Sequence, residues 1–252
     1  MNYKIFLINL DGASKRFDEI RRQLDFMGVH FERVSAVDGN LLSQDKIDCC
    51  YSKELNRQKY FVPLTRGEIG CYLSHISIFK KLLDENLDYA IVLEDDLVFK
   101  PGFARIPSVV ESIKVKWDYI KLIAPGKKKQ INSRIGLGID SGNGSDFELV
   151  TWRKVPIGTA AYVVSRDGAK KFIEKRSVFY RPLDVDLQFP WETGVEIFGL
   201  LPQMVDEAAL PSQIDHRRGK SHYPLARVVH KLKYLITSVA RRKKGSIPKV
   251  VE

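Results

Sequence analysis

Three consecutive carboxylates, Glu94, Asp95 and Asp96, separate two apolar runs in the stretch Tyr89 to Phe99. Oxygen ligands at this spacing suit Mg²⁺ or Mn²⁺, which take one or two carboxylates and complete their shells with water and substrate phosphates. In an extended segment side chains alternate, so Glu94 and Asp96 are expected to point together as metal ligands while Asp95 points the other way, toward a bound donor. A cation of this kind implies a nucleotide diphosphate. The competing reading of an arbitrary acidic triplet is a solvated turn that binds nothing.

Other residues carry chemistry at lower specificity. Asp184 and Asp186, alternating after Pro182, form a second carboxylate pair. The turn Asn9-Leu10-Asp11, with Arg16 shortly after, falls between a strand end and a helix start, where it could meet a nucleotide. Thr65 and Glu68 match a capping box, which gives Glu68 a structural task, but that task explains neither Arg66 nor His75. These three residues are candidates for donor binding, with a hydrogen-bonded core histidine as the alternative for His75. Asp215-His216 offers an imidazole, His216, that could complete a metal shell; a surface Asp-His pair is the alternative.

The elements that must position these groups read as alternating strands and helices. Tyr89 to Leu93 is short, β-branched and continuously apolar, the pattern of a strand covered on both faces in a parallel sheet. Ligands of such sheets bind beyond the carboxyl ends of strands, where the triplet falls. Lys4 to Leu10, the amphipathic stretch Arg16 to Met27 and Phe31 to Val37 give a βαβ opening, with Gly28 closing the helix. Residues 40 to 65 predict loops and a short helix. From Thr65 an amphipathic helix leads to the central strand. A helix around 103–114, a strand from Trp117 to Ile123, strands at 150–155 and 158–164 and a helix from Gly168 to Lys175 follow. The polar, glycine-rich stretch 124–148 fits an active-site loop and a hairpin equally well.

The 252 residues, 44% hydrophobic and 29% charged, suffice for one large α/β domain with an appended segment, here 1–222 and 223–252. No run reaches the roughly twenty apolar residues that span a bilayer, and the N-terminus lacks the features of a signal peptide, so a cytoplasmic location is expected. Cys49, Cys50 and Cys71 make a poor disulfide framework. The net charge of +10 is concentrated beyond residue 216, which argues against nucleic acid as the partner of the main domain. Leu225, Val228, Val229, Leu232, Leu235, Ile236 and Val239 form a helical apolar stripe beside basic residues, and Arg241 to Lys244 extend the charge. That pattern suits an anionic membrane surface, with packing on the domain or on a second subunit as the alternative.

Several stretches together resemble glycosyltransferase family 25, whose bacterial members build lipopolysaccharide and lipooligosaccharide sugars. They are Ile8-Asn9-Leu10-Asp11 with Ser14 and Arg16, Ala36-Val37-Asp38-Gly39, Arg66 to His75, Leu93-Glu94-Asp95-Asp96, Gly158 to Tyr162 and Pro182-Leu183-Asp184. The resemblance spans residues 4 to about 190. It implies a GT-A-like, Rossmann-type α/β domain with a mostly parallel sheet, and inverting transfer from a nucleotide sugar, often galactose from UDP-galactose. Glu94 to Asp96 then stand where such enzymes bind metal, and the acceptor is a lipid-linked oligosaccharide at the inner face of a bacterial inner membrane. Single displacement needs a carboxylate to take the acceptor's proton, for which Asp184 is placed first and Asp186 second. A metal-dependent phosphohydrolase and a non-catalytic sugar-nucleotide-binding subunit of a membrane assembly are the rival readings.

Overall fold

The structure is a computed structural model in which residues 1–124, 131–142 and 144–208 are described. Lys127 to Lys129, Asp215, His216, the boundary at 222 and the basic segment 223–252 lie outside the described residues.

In chain order the elements are β1 (Tyr3–Asn9), α1 (Ser14–Phe26), β2 (Glu32–Ser35), α2 (Gln44–Cys50), α3 (Lys53–Lys59), α4 (Arg66–Asp84), β3 (Tyr89–Glu94), β4 (Leu97–Phe99), α5 (Ile106–Glu111) and β5 (Tyr119–Lys121). They continue with β6 (Ile131–Asp140), β7 (Asp146–Trp152), β8 (Ala161–Ser165), α6 (Arg166–Lys175), α7 (Leu183–Asp186), α8 (Pro190–Thr193), β9 (Ile197–Leu201) and β10 (Val205–Glu207). Eight strands form one sheet in the order β2-β1-β3-β8-β5-β9-β7-β6, while β10 pairs with β4 apart from it. β1 runs parallel to β2 and β3, and β5 parallel to β9; β8 is antiparallel to β3 and β5, and β7 to β9 and β6. Only β8 and β7 are therefore reversed, and the other six of the eight strands point one way, which makes the sheet mostly parallel.

Period-two alternation in the central strands feeds two cores. Tyr89, Ile91 and Leu93 of β3 pack with Ile20 and Leu24 of α1 and Val109 and Val110 of α5, whereas Ala90 and Val92 face Ile69, Tyr72 and Phe79 of α4 and Phe172 of α6. Burying each large aliphatic or aromatic side chain of this kind contributes about 1.5–3 kcal/mol, which fixes the register. Glu94 continues the Ala90–Val92 side and so faces α4. The chain visits β2 on one side of β1 and β3 on the other, and this reversal opens a crevice beyond the carboxyl ends of β1 and β3.

Some local expectations change. Residues 40–65 hold two short helices, α2 and α3, started by Ser43 and Ser52, whose hydroxyls accept from Lys46 N and Leu55 N. The glycine-rich stretch forms the β6–β7 hairpin in its described part, and the acidic pair 184/186 lies in the one-turn helix α7 instead of an extended segment. No described helix is long and apolar enough to cross a membrane.

Candidate active site

The crevice between β1 and β3 is an open cleft with about 750 Å³ of empty space, its solvent-facing mouth included. The wall formed by α4 and the 37–39 segment depends on two glycines. A Cβ on Gly39 would stand 1.7 Å from Arg66 O and one on Gly70 2.4 Å from Val37 O, so only glycine lets the start of α4 lie against the 37–39 backbone. The Thr65–Glu68 capping box forms, with Thr65 N donating to Glu68 Oε2 at 2.9 Å, and Ser74 Oγ accepts from Val37 N at 2.8 Å. These contacts set Gly67, Cys71, Ser74 and His75 into the lining beside Val37, Asp38 and Asn40.

All three carboxylates of the triplet line the cleft, Asp95 included, because β3 ends at Glu94 and the chain bends at Asp95 and Asp96 instead of continuing the alternation. Each meets different partners. Glu94 Oε1 accepts from Thr159 Oγ1 at 2.9 Å and lies 3.3 Å from His75 Nε2, while His75 Nδ1 is 2.8 Å from the Tyr162 hydroxyl. Burial pushes the Glu94 carboxyl up, but His75, Thr159 and Lys121 outweigh it and leave it below its ordinary range. Asp95 accepts from Asn9 Nδ2 at 2.7 Å and Arg16 at 3.2 Å, which ties the ends of β1, α1 and β3 together. Asp96 is left with a weak contact, 3.9 Å, to Arg16, and its buried Oδ1 has no hydrogen-bond partner among the described residues.

That orphaned oxygen bears on a cation. Burial, followed by the charges of Glu94 and Asp95, pushes the Asp96 carboxyl up to about 6. A divalent ion there would relieve both the repulsion and the unmet acceptor, so Asp96 with its neighbours fits a hard metal. Cys71, His75 and Glu94 also bring one possible ligand atom each within 4.8 Å of one another. There, however, His75 and Glu94 already engage each other, and burial together with the Glu94 charge holds the thiol well above its ordinary range.

Of the other residues expected at the site, Asn9, Leu10, Arg16 and His75 line the cleft. Asp11, Arg66, Glu68, Asp184 and Asp186 do not. Asp11 is exposed and paired with Arg33 at 2.7 Å and Ser35 at 2.8 Å; Arg66 braces the carbonyls of Gly39 and Leu42; Glu68 is consumed by the capping box. In α7 the pair divides. Asp186 is buried, accepts from Arg176 at 2.6 and 2.9 Å and from the Tyr72 hydroxyl at 3.0 Å, and lies 3.0 Å from Arg181 Nε; it is turned away from solvent, because helical positions two apart face nearly opposite sides. Half-buried Asp184 accepts from Gly158 N at 3.1 Å and Val185 N at 2.7 Å.

Asp184 and the triplet are joined by a turn: Gly158 holds Asp184 while the next residue, Thr159, holds Glu94. The sequence reading missed the residue beneath it. Lys121, 2% exposed at the end of β5, is a lysine in an otherwise apolar strand, and that mismatch was the available signal.

Residues 2–187 match the family described as Glycosyltransferase family 25 (LPS biosynthesis protein). Procollagen galactosyltransferase 1-B of Xenopus laevis is 38% identical over 180 residues, 68% of this chain and 28% of that one. Procollagen galactosyltransferase 2 of Homo sapiens is 30% identical over 74% of this chain and 30% of its own, and a glycosyltransferase 25 family member of Aedes aegypti 29% over 86% and 33%. The chain thus spans about a third of the length of these curated relatives. Among solved structures, a Drosophila β-1,4-galactosyltransferase 7 mutant in complex with manganese, UDP-Gal and xylobiose gives a TM-score of 0.42 at 9% identity, over 87% of this chain and 75% of that one.

Proposed function

The chain belongs to glycosyltransferase family 25, and from that premise we propose that it transfers galactose from UDP-galactose, with inversion, to a hydroxyl of a lipooligosaccharide or lipopolysaccharide acceptor. The observation that carries the reading is the division of the cleft's carboxylates: Asp95 and Glu94 are held by protein donors, while Asp96 keeps a buried oxygen with no partner among the described residues. Mn²⁺ or Mg²⁺, when bound by Asp96 beside Glu94 and Asp95, supplies Lewis-acid stabilisation of the charge that grows on the leaving diphosphate. Asn9, Leu10, Arg16 and the 37–40 wall surround the nucleotide. Asp184 takes the acceptor's proton as the acceptor oxygen forms its bond to the anomeric carbon and the anomeric carbon's bond to the diphosphate oxygen breaks, the electron pair of that bond leaving with UDP.

The acceptor class has a second reading, favoured by the names of the relatives: a hydroxyl on a collagen-like polypeptide. The basic segment 223–252 would serve a lipid-linked acceptor by docking the enzyme on the cytoplasmic, anionic face of a membrane. Incubation with UDP-galactose and Mn²⁺ tests the proposal. UDP release that requires truncated lipooligosaccharide is expected; release that requires a collagen peptide would move the acceptor to protein. Acceptor-independent phosphate release would mark a hydrolase, and binding without turnover a non-catalytic subunit. Vesicle sedimentation checks the docking, with salt-sensitive pelleting on anionic lipid expected for the full chain and none on neutral lipid.

A further inference from the structure

The ammonium of Lys121 lies inside the protein beside the carbonyls of Ile157, at 3.5 Å, and Gly158, at hydrogen-bonding contact. Among the described residues no carboxylate reaches it within ion-pair distance. A buried lysine without an ion-pair partner is costly, and burial pulls this one down to about 8, against the opposing pull of Asp184 and Glu94. An apolar residue would fill this position in β5 without that cost, so the charge calls for another explanation.

The turn above it supplies one. Gly158 adopts φ of 90°, a conformation that suits glycine, and this orients one residue's two polar groups differently: its carbonyl receives Lys121 while its N–H donates to Asp184 at 3.1 Å. Thr159, next in the chain, donates to Glu94 at 2.9 Å, and Ala160 O accepts from Glu94 N at 2.8 Å. Asp184 and Glu94 come from segments ninety residues apart, and this turn joins them. It projects from β8, which pairs with β5 through Tyr162 and Lys121 themselves.

We propose that Lys121 is a positioning residue: by holding the Ile157 and Gly158 carbonyls it fixes the turn whose N–H and hydroxyl place Asp184 relative to Glu94. It touches neither substrate nor metal and acts through the turn. The inference rests on the transferase reading for the role of Asp184 as base, and its physical half, the anchoring of the turn, does not.

Lys121→Met removes the anchor and Lys121→Gln keeps one donor. In Lys121→Met turnover falls about tenfold to a hundredfold, the scale of a misplaced catalytic group, with the donor KM unchanged, and Lys121→Gln recovers part of the loss. In an Asp184→Asn background Lys121→Met costs less than about twofold more, since the loss runs through Asp184. Amide exchange at Gly158 gives a substrate-free reading: protection drops about tenfold in Lys121→Met under conditions where global stability is matched. Losses that multiply in the double variant, or unchanged exchange with unchanged turnover, would overturn the proposal. If Lys121→Met fails to fold, Lys121→Gln carries the same exchange and turnover tests. Absence of acceptor-dependent UDP release in the unmodified protein would remove the transferase reading alone, and the exchange result would still decide whether Lys121 anchors the turn.

Discussion

Asp96 and Asp186 each follow another carboxylate by two residues, yet one ends with a buried oxygen that no group among the described residues satisfies and the other among two guanidinium groups and a tyrosine hydroxyl. The contrast comes from what neighbouring elements bring. Around α7, Arg176 at the end of α6, Arg181 and Tyr72 of α4 converge on Asp186, and Glu192 of α8 joins the same arginines at 2.7 Å from Arg176. At the end of β3 Arg16, at 3.9 Å, is the one cation near the Asp96 carboxylate among the described residues. Buried charge with protein partners holds a fold together; buried charge left short of partners is tolerated where a ligand completes it.

The comparison breaks most visibly at Asp186. Asp186→Asn strips the charge partner from Arg176 and Arg181, and loss of one member of a buried pair costs roughly 3–5 kcal/mol. Urea unfolding is expected to show that fall in midpoint, while the folded fraction keeps its turnover. Reduced turnover at full stability would instead make Asp186 part of the chemistry.

Asp184, its neighbour one turn-face away, is expected to behave in the opposite sense. Asp184→Asn should lower turnover by roughly two orders of magnitude, the usual scale for removal of a general base, and leave UDP-galactose affinity and the melting temperature nearly unchanged. Equal loss of donor affinity would assign it to donor recognition.

A smaller effect sharpens the Asp96 side. Its folded carboxyl is held up at about 6 against an ordinary 3.8. Between about pH 4 and about pH 6 the folded chain therefore keeps a proton that the unfolded chain has released. The stability of the metal-free protein then falls as pH rises through that window, by roughly 2–3 kcal/mol, and levels off above it. Chemical denaturation in EDTA across this range should show the slope in the native chain and lose it in Asp96→Asn. The same slope in both would place the strain elsewhere.

Much of this was legible in the sequence, and what was not shares one physical cause. The apolar run Tyr89 to Leu93, the capping box at Thr65 and Glu68 and the βαβ opening are local patterns, and each forms close to its expected bounds. The α/β class followed from them. Spacing also located the acidic groups, but not their partners, since those come from distant segments: Arg176 and Tyr72 for Asp186, Thr159 and His75 for Glu94. Likewise Asp11 engages Arg33, and Arg66 the 39–42 carbonyls, partners that no local pattern names. Lys121 could have been flagged as a charge in an apolar strand, although nothing local says what it holds.

The proposed transfer requires the β1–β3 crevice to bind a nucleotide diphosphate through a cation at Asp96. Calorimetric titration of UDP into the full chain tests it most directly, in Mn²⁺ and again in excess EDTA. Binding in Mn²⁺ that weakens at least about tenfold in EDTA, and as much in Asp96→Asn with Mn²⁺ present, is the predicted result. UDP binding of equal strength with and without metal would contradict it.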